Sequence, residues 1–500
     1  MRHLRSRQNE SIRSARSPVR GGALLLLGSC LGLACLTAIV AQEVAPQGSS
    51  RHDLKGNQIE PVGVSSCAAF ACHGGNGGEG NHRNAYTTWM ALDPHSRAES
   101  VLKQKRSIEI ENRLAIFSGR KARSAETDTR CLGCHVSPGP NLNRTSVVSA
   151  AEGVGCESCH GAASQWLAPH SSASWKQLSD SKKLELGMTP TTDLEARVNL
   201  CVGCHIGNSG RDVDHDLIAA GHPQLDFEFL SYFEALPKHW DESKVRREQP
   251  DLDARAWAIG QVVSAREALG LLSLRAHAAL EPQAKRPVER SPIGIWPEFA
   301  EYACNSCHHP LAETTLPSTR DAQTGLVTLP WGHWYFSIAP ALLTSPSEDI
   351  KNNESSPLAS LRRLMESIDP QPKDAERLAL EAKAHVGKLL DTAKAPFTLR
   401  QVQQLLARLV ADKPGSPPLN WETATQRFVG IATLNGTLER LGQPLTPNMK
   451  SALDAMRRQV EAPSSSLGGQ SGRWTAEAFT KAMERYRREL SVLMTADSGR

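Results

Sequence analysis

Five short stretches place two cysteines and a histidine where they can act together. "CLGCH" at 131–135, "CESCH" at 156–160, "CVGCH" at 201–205 and "CNSCH" at 304–308 repeat one C-x-x-C-H pattern, and "CAAFACH" at 67–73 widens the gap between the cysteines to four residues. These sites take Cys67, Cys72, Cys131, Cys134, Cys156, Cys159, Cys201, Cys204, Cys304 and Cys307, ten of the twelve cysteines. C-x-x-C-H is the attachment signature of c-type haem. Each sulfur forms a thioether to one vinyl group of the porphyrin. Two anchors one helical turn apart reach both vinyls, and the adjacent histidine then lies under the iron as its proximal ligand. On this reading His73, His135, His160, His205 and His308 are the proximal ligands.

A single C-x-x-C-H is also compatible with a zinc site, a redox dithiol or a disulfide. Neither a zinc site nor a disulfide framework requires a histidine after every second cysteine, so four strict copies favour haem. At 67–73 the alternative is a Cys67–Cys72 disulfide, but His73 directly after Cys72 favours a fifth haem. About five covalently attached haems, each with its iron, are the expected cofactors.

Each iron has a second axial position. Two imidazoles per iron make an electron carrier, whereas an open position lets a small molecule bind. Candidates for the distal ligand are His95 in "TTWMALDPHSRA", His170 after "QWLAP", His215 and His222 in "DVDHDLIAAGHPQL", His239 in "LPKHW", and His309 beside His308. His215 and His222 stand seven apart and would share a face of one helix. His309 points away from the iron of His308 but can serve a neighbouring one. His82, His277 and His333 read as solvated or structural, and Met90 and Met188 as apolar packing.

The elements that must hold these residues fall into two regions. Residues 61–340 carry all five motifs among many Gly and Pro residues, as in "HGGNGGEGNHRN", which predicts loops with short helices between them and little β-structure. Residues 341–500 contain no cysteine, and apolar residues recur there at helical spacing: Leu358, Leu361, Leu364 and Ile368, then Val402, Leu405, Leu406, Leu409 and Val410. The fold class expected is therefore mainly α: a loop-rich multihaem domain at 61–340 and an all-helical C-terminal region of five or six helices at 341–500. Aromatic content is only 5%, so haem would supply much of the missing core.

The N-terminus has another purpose. Residues 1–20 carry six arginines and one glutamate, and Gly21–Ala41 runs without a charge. Residues 1–41 read as an export signal or a membrane anchor, with Cys30 and Cys35 as small apolar members of it, and the polar stretch 42–60 as a linker. The net charge of +4 is concentrated in residues 1–20. No basic patch follows, and a nucleic-acid partner is not expected.

"CAAFACHGG", "TTWMALDPHSRA", "CLGCH", "GVGCESCHGAASQWLAPH", "CVGCH" and "HDLIAAGHPQLDFE" together resemble the cytochrome c-554 family of multihaem cytochromes over roughly residues 61–240. The resemblance implies closely packed haems in a helical, loop-rich fold, bis-histidine ligation at most irons, and periplasmic electron transfer between redox partner proteins. His95 and His170 match positions where relatives place distal ligands. The motif at 304–308 adds to the four haems of the type member. Pentahaem nitrite reductases place C-x-x-C-K at the active haem, and no such motif occurs here. The expected function is an exported electron carrier. The alternative is an oxidoreductase acting on a small nitrogen or sulfur compound at a five-coordinate haem. Association with a membrane through the N-terminus, or with a larger complex through the helical tail, stays open at this stage.

Overall fold

Aspartates start the helices that carry the motifs. Asp128 accepts a hydrogen bond from the Arg130 amide and opens Thr129–His135; Asp193 accepts from the Ala196 amide and opens Leu194–His205; Asp214 accepts from the Leu217 amide and opens His215–Ala220. Such caps satisfy amide groups that the first helical turn leaves unpaired. Three strict motifs end their helices at the histidine: Thr129–His135, Cys156–His160 and Leu194–His205. The last helical turn therefore aims both sulfurs and the imidazole to one side. The motif at 304–308 makes the same turn, since the His308 amide bonds the Cys304 carbonyl at 2.8 Å.

The structure is a computed structural model that describes residues 59–77, 80–119, 121–137, 152–281, 296–304, 307–308, 319–320, 327–343, 356–411, 419–461 and 474–497. The expected signal at 1–41, nearly all of the 42–60 linker, His309 and the His333 side chain lie outside the described residues. The fold is mainly α, as expected. Among the described residues β-structure is limited to one antiparallel pair, Thr319–Arg320 with Val327–Thr328, and two isolated bridges. No helix among them is long and apolar enough to cross a membrane.

One expectation fails within 61–340. Beside the short helices runs Leu252–Leu280, a helix of 29 residues that is buried along most of its length. A helix that is apolar all round belongs inside the protein. Its small residues let neighbours approach closely. A Cβ on Gly260 would sit 2.8 Å from the Phe229 Cβ, and one on Gly430 would sit 2.6 Å from Cζ2 of Trp257. Arg275, buried on this helix, is neutralised by Asp212 and by Glu301, the latter at 2.6 Å.

The C-terminal region folds into seven described helices, Pro357–Met365, Pro372–Gly387, Leu390–Lys394, Leu399–Leu409, Trp421–Arg440, Pro447–Val460 and Ala476–Asp497, rather than five or six. Ser356, Thr398, Asn420 and Thr446 cap four of them. A single hydrophobic core extends from Val198 to Leu490. It joins the Leu252–Leu280 helix to Pro372–Gly387 and Trp421–Arg440. Residues 59–190 own only small apolar clusters, such as Ala163, Trp166 and Trp175. They wrap instead around an open interior space.

Candidate metal centres

That space is a cavity of about 2150 Å³. It is several-fold larger than a pocket for one small ligand. Its lining includes the cysteines and histidines of the first four motifs.

Across it the histidines meet in couples. Ring centres lie 6.2 Å apart for His73 and His170, 6.1 Å for His95 and His205, 6.4 Å for His135 and His222, and 6.1 Å for His160 and His239. A fifth couple, His215 with His308 at 6.5 Å, lies outside this cavity. Two imidazoles bound on opposite sides of one metal, with metal–nitrogen bonds of about 2.0 Å and about 1.1 Å from nitrogen to ring centre, would have centres about 6.2 Å apart. Each sequence-predicted proximal histidine therefore faces one predicted distal histidine at the spacing that a metal between them demands.

The ring nitrogens point the same way. Nδ1 of His73, His135, His170 and His222 hydrogen-bonds the carbonyl of His82, Ala98, Leu167 and Pro223 respectively, at 2.5–2.8 Å. Nδ1 of His95 bonds Oδ1 of Asp93 at 2.8 Å. Each bond fixes the proton on Nδ1 and leaves Nε2 as the free donor for a metal. Burial pushes His160 and His205 down to about 4, the first also through His239 and the second through His95. Burial likewise lowers His222 and His239. A neutral imidazole is the form that binds a metal. His95 is the exception: its hydrogen bond to Asp93 raises it against the effect of burial.

His82 also lies near His73, with ring centres 6.4 Å apart. It contributes its carbonyl to Nδ1 of His73, which leaves Nε2 of His73 as the free nitrogen. His277 pairs with Glu376 at 2.9 Å. The expected shared helix face of His215 and His222 is not formed. The helix stops at Ala220, Gly221 turns the chain at φ 121, and the two histidines enter different couples. The ten motif cysteines are free, with no disulfide at 67–72. Sulfurs of different motifs come close: Cys67 contacts Cys156, and Cys134 contacts Cys204.

The donor set thus fits covalently held haem: paired thiols, a histidine in the same turn, and a second imidazole across a gap of the right width. The model of the cytochrome c554 and c-prime family matches residues 66–161. The chain resembles a c-type cytochrome of that family. The resemblance brings haem, iron and an electron-transfer role with it. No curated protein and no solved structure matches the chain.

Sequence reasoning missed the groups around the couples. Asp93 could have been found, because Asp-Pro-His places a carboxylate two residues before a ligand. The carbonyls of Ala98 and Leu167 carry no sequence signal, since every residue has one.

Proposed function

We propose that the chain is an exported, periplasmic carrier of electrons between redox partner proteins, with five haems attached at Cys67/Cys72, Cys131/Cys134, Cys156/Cys159, Cys201/Cys204 and Cys304/Cys307. The observation that carries this reading is the meeting of five histidine couples at 6.1–6.5 Å. Haem c, when bound, supplies an iron that alternates between ferric and ferrous states. The protein's part is to hold and tune. The cysteines would anchor the group, and the paired imidazoles would hold its iron. The carbonyls at Nδ1 keep the rings from turning, and the apolar walls exclude water. Closed axial positions favour outer-sphere electron transfer over chemistry on a bound substrate. An open position, as the oxidoreductase reading requires, would need one couple to be broken. The basic and apolar N-terminal segment supports export, and the contact of Cys67 with Cys156 and of Cys134 with Cys204 supports closely stacked groups suited to rapid relay.

Mass spectrometry and electron paramagnetic resonance test the proposal. The mature chain is expected to carry the mass of five haems. The ferric protein is expected to show low-spin signals alone, in two sets. Ring planes are near parallel in the His73/His170 and His215/His308 couples, at 14° and 25°, and strongly crossed in the other three, at 63–89°. Crossed planes leave the iron d-orbitals nearly degenerate and give more anisotropic signals than parallel ones, so three highly anisotropic centres and two rhombic ones are expected. A high-spin signal from about one centre in five that responds to nitrite or hydroxylamine would replace the carrier with the oxidoreductase.

A further inference from the structure

A second, small pocket lies beside the motif at Cys304–His308. Its volume is about 80 Å³, and its walls include Gln224, Asp226, Glu301, Tyr335 and Glu422. Asp226 comes from the extended chain that follows His222. Glu422 stands in the first turn of the Trp421–Arg440 helix and is the carboxylate that the C-terminal region contributes. Neither carboxylate has a hydrogen-bond or ion-pair partner among the described residues. Both lie deep in the protein yet keep part of their surface on the pocket, so water reaches them.

Among the described residues, the other charged and titratable groups lining the pocket are Arg275, Glu301, Tyr302 and Tyr335. Glu301 is raised by burial, but Arg275 neutralises it at 2.6 Å, and Arg275 also bridges Asp212. Tyr335, Tyr302 and Tyr232 are pushed up by burial and stay neutral. Two unpaired carboxylates in one apolar wall resist being charged together. Burial accordingly pushes Asp226 up to about 6, and burial with the charge of Asp226 pushes Glu422 up to about 7. The fifth motif lies within their field. Gln224 touches Sγ of Cys304 at 3.0 Å, and the Cys304 thiol is raised by burial and then by the charges of Glu422 and Asp226.

We propose that Asp226 and Glu422 form a proton-accepting pair that takes up one proton from the pocket for each electron received at Cys304–His308. The electron comes from a one-electron donor. The proton comes from solvent hydronium, passed through the pocket so that water is left behind, and forms one O–H bond on the pair; reoxidation releases both. The physical cause is electrostatic: an added electron raises the cost of a nearby carboxylate charge, and protonation removes that cost. The inference rests on the reading of Cys304–His308 as a haem site.

The test uses the full-length haem-loaded protein. Its mass first counts the attached groups, and midpoint potentials are then measured by spectroelectrochemistry from about pH 5 to about pH 9. His215→Met identifies the fifth couple by the potential it displaces. The expected result is that this couple's equilibrium shifts up to tenfold per pH unit, about 59 mV for one electron, over a window that includes pH 6–7. Asp226→Asn combined with Glu422→Gln flattens that slope and leaves the other four profiles in place. Glu422→Asp retains it, and either single neutral variant weakens it should the double variant fail to load. A slope that survives neutralisation, or a flat profile in the unaltered protein with five groups attached, overturns the proton pair and spares the haem reading. A mass with four groups and an empty fifth motif overturns both.

Discussion

At Asp93 a carboxylate, rather than a neutral carbonyl, takes the Nδ1 proton of a metal-facing histidine, at 2.8 Å from His95. A charged acceptor makes the imidazole a stronger donor to a metal and so favours the ferric state. Asp93→Asn is therefore expected to raise the midpoint potential of the His95/His205 couple by something on the order of tens of millivolts. The other four couples should keep theirs in the same redox titration. Removing one imidazole has a different signature. His222→Ala leaves His135 without its counterpart, so one centre should turn high-spin in the ferric resonance spectrum while the mass keeps all five haems. Had His222 been only a packing residue, the spectrum would not change. The motif residues were legible because covalent chemistry dictates their spacing. Asp93 was visible only as a neighbour in the chain, and its role emerged from the short Nδ1 contact.

The helices that deliver these residues are short and rely on their ends. Asp193 caps Leu194–His205 through the Ala196 amide at 2.7 Å, and this helix carries Cys201, Cys204 and His205 at its far end. Asp193→Ala should cost about 1 kcal/mol of stability, read as a lower urea midpoint. In the C-terminal region Thr398 and Gln401 form a reciprocal cap on Leu399–Leu409, a pattern readable directly from Thr-x-x-Gln before an apolar run. Contacts between helices were not readable in this way. Gly430 looks like an ordinary helical glycine until the fold places Trp257 against it. Gly430→Val would put a Cβ 2.6 Å from the indole and should destabilise the protein by about 1–3 kcal/mol. Measured stability equal to that of the parent would show that the two helices are packed less tightly.

Over the described residues, apolar burial and the histidine couples are unequally shared. The continuous core lies in residues 198–490, whereas residues 59–190 surround the large cavity with little core of their own. The Leu252–Leu280 helix buries Ala, Val, Leu and Trp257 against helices from both sides of position 341. A chain ending at residue 345 would expose that surface and should be recovered as aggregate, with poor haem loading by absorbance. A soluble, fully loaded truncation would instead show that the C-terminal helices are dispensable to the core. Sequence by itself marked the five Cys/His motifs and the helical class, because bonding geometry and apolar period both act within a few residues. The tertiary structure alone decided which histidines meet in couples and brought Glu422 and Asp226 to one pocket. Those choices join residues far apart in the chain, and only the packing of helices brings such residues to one point.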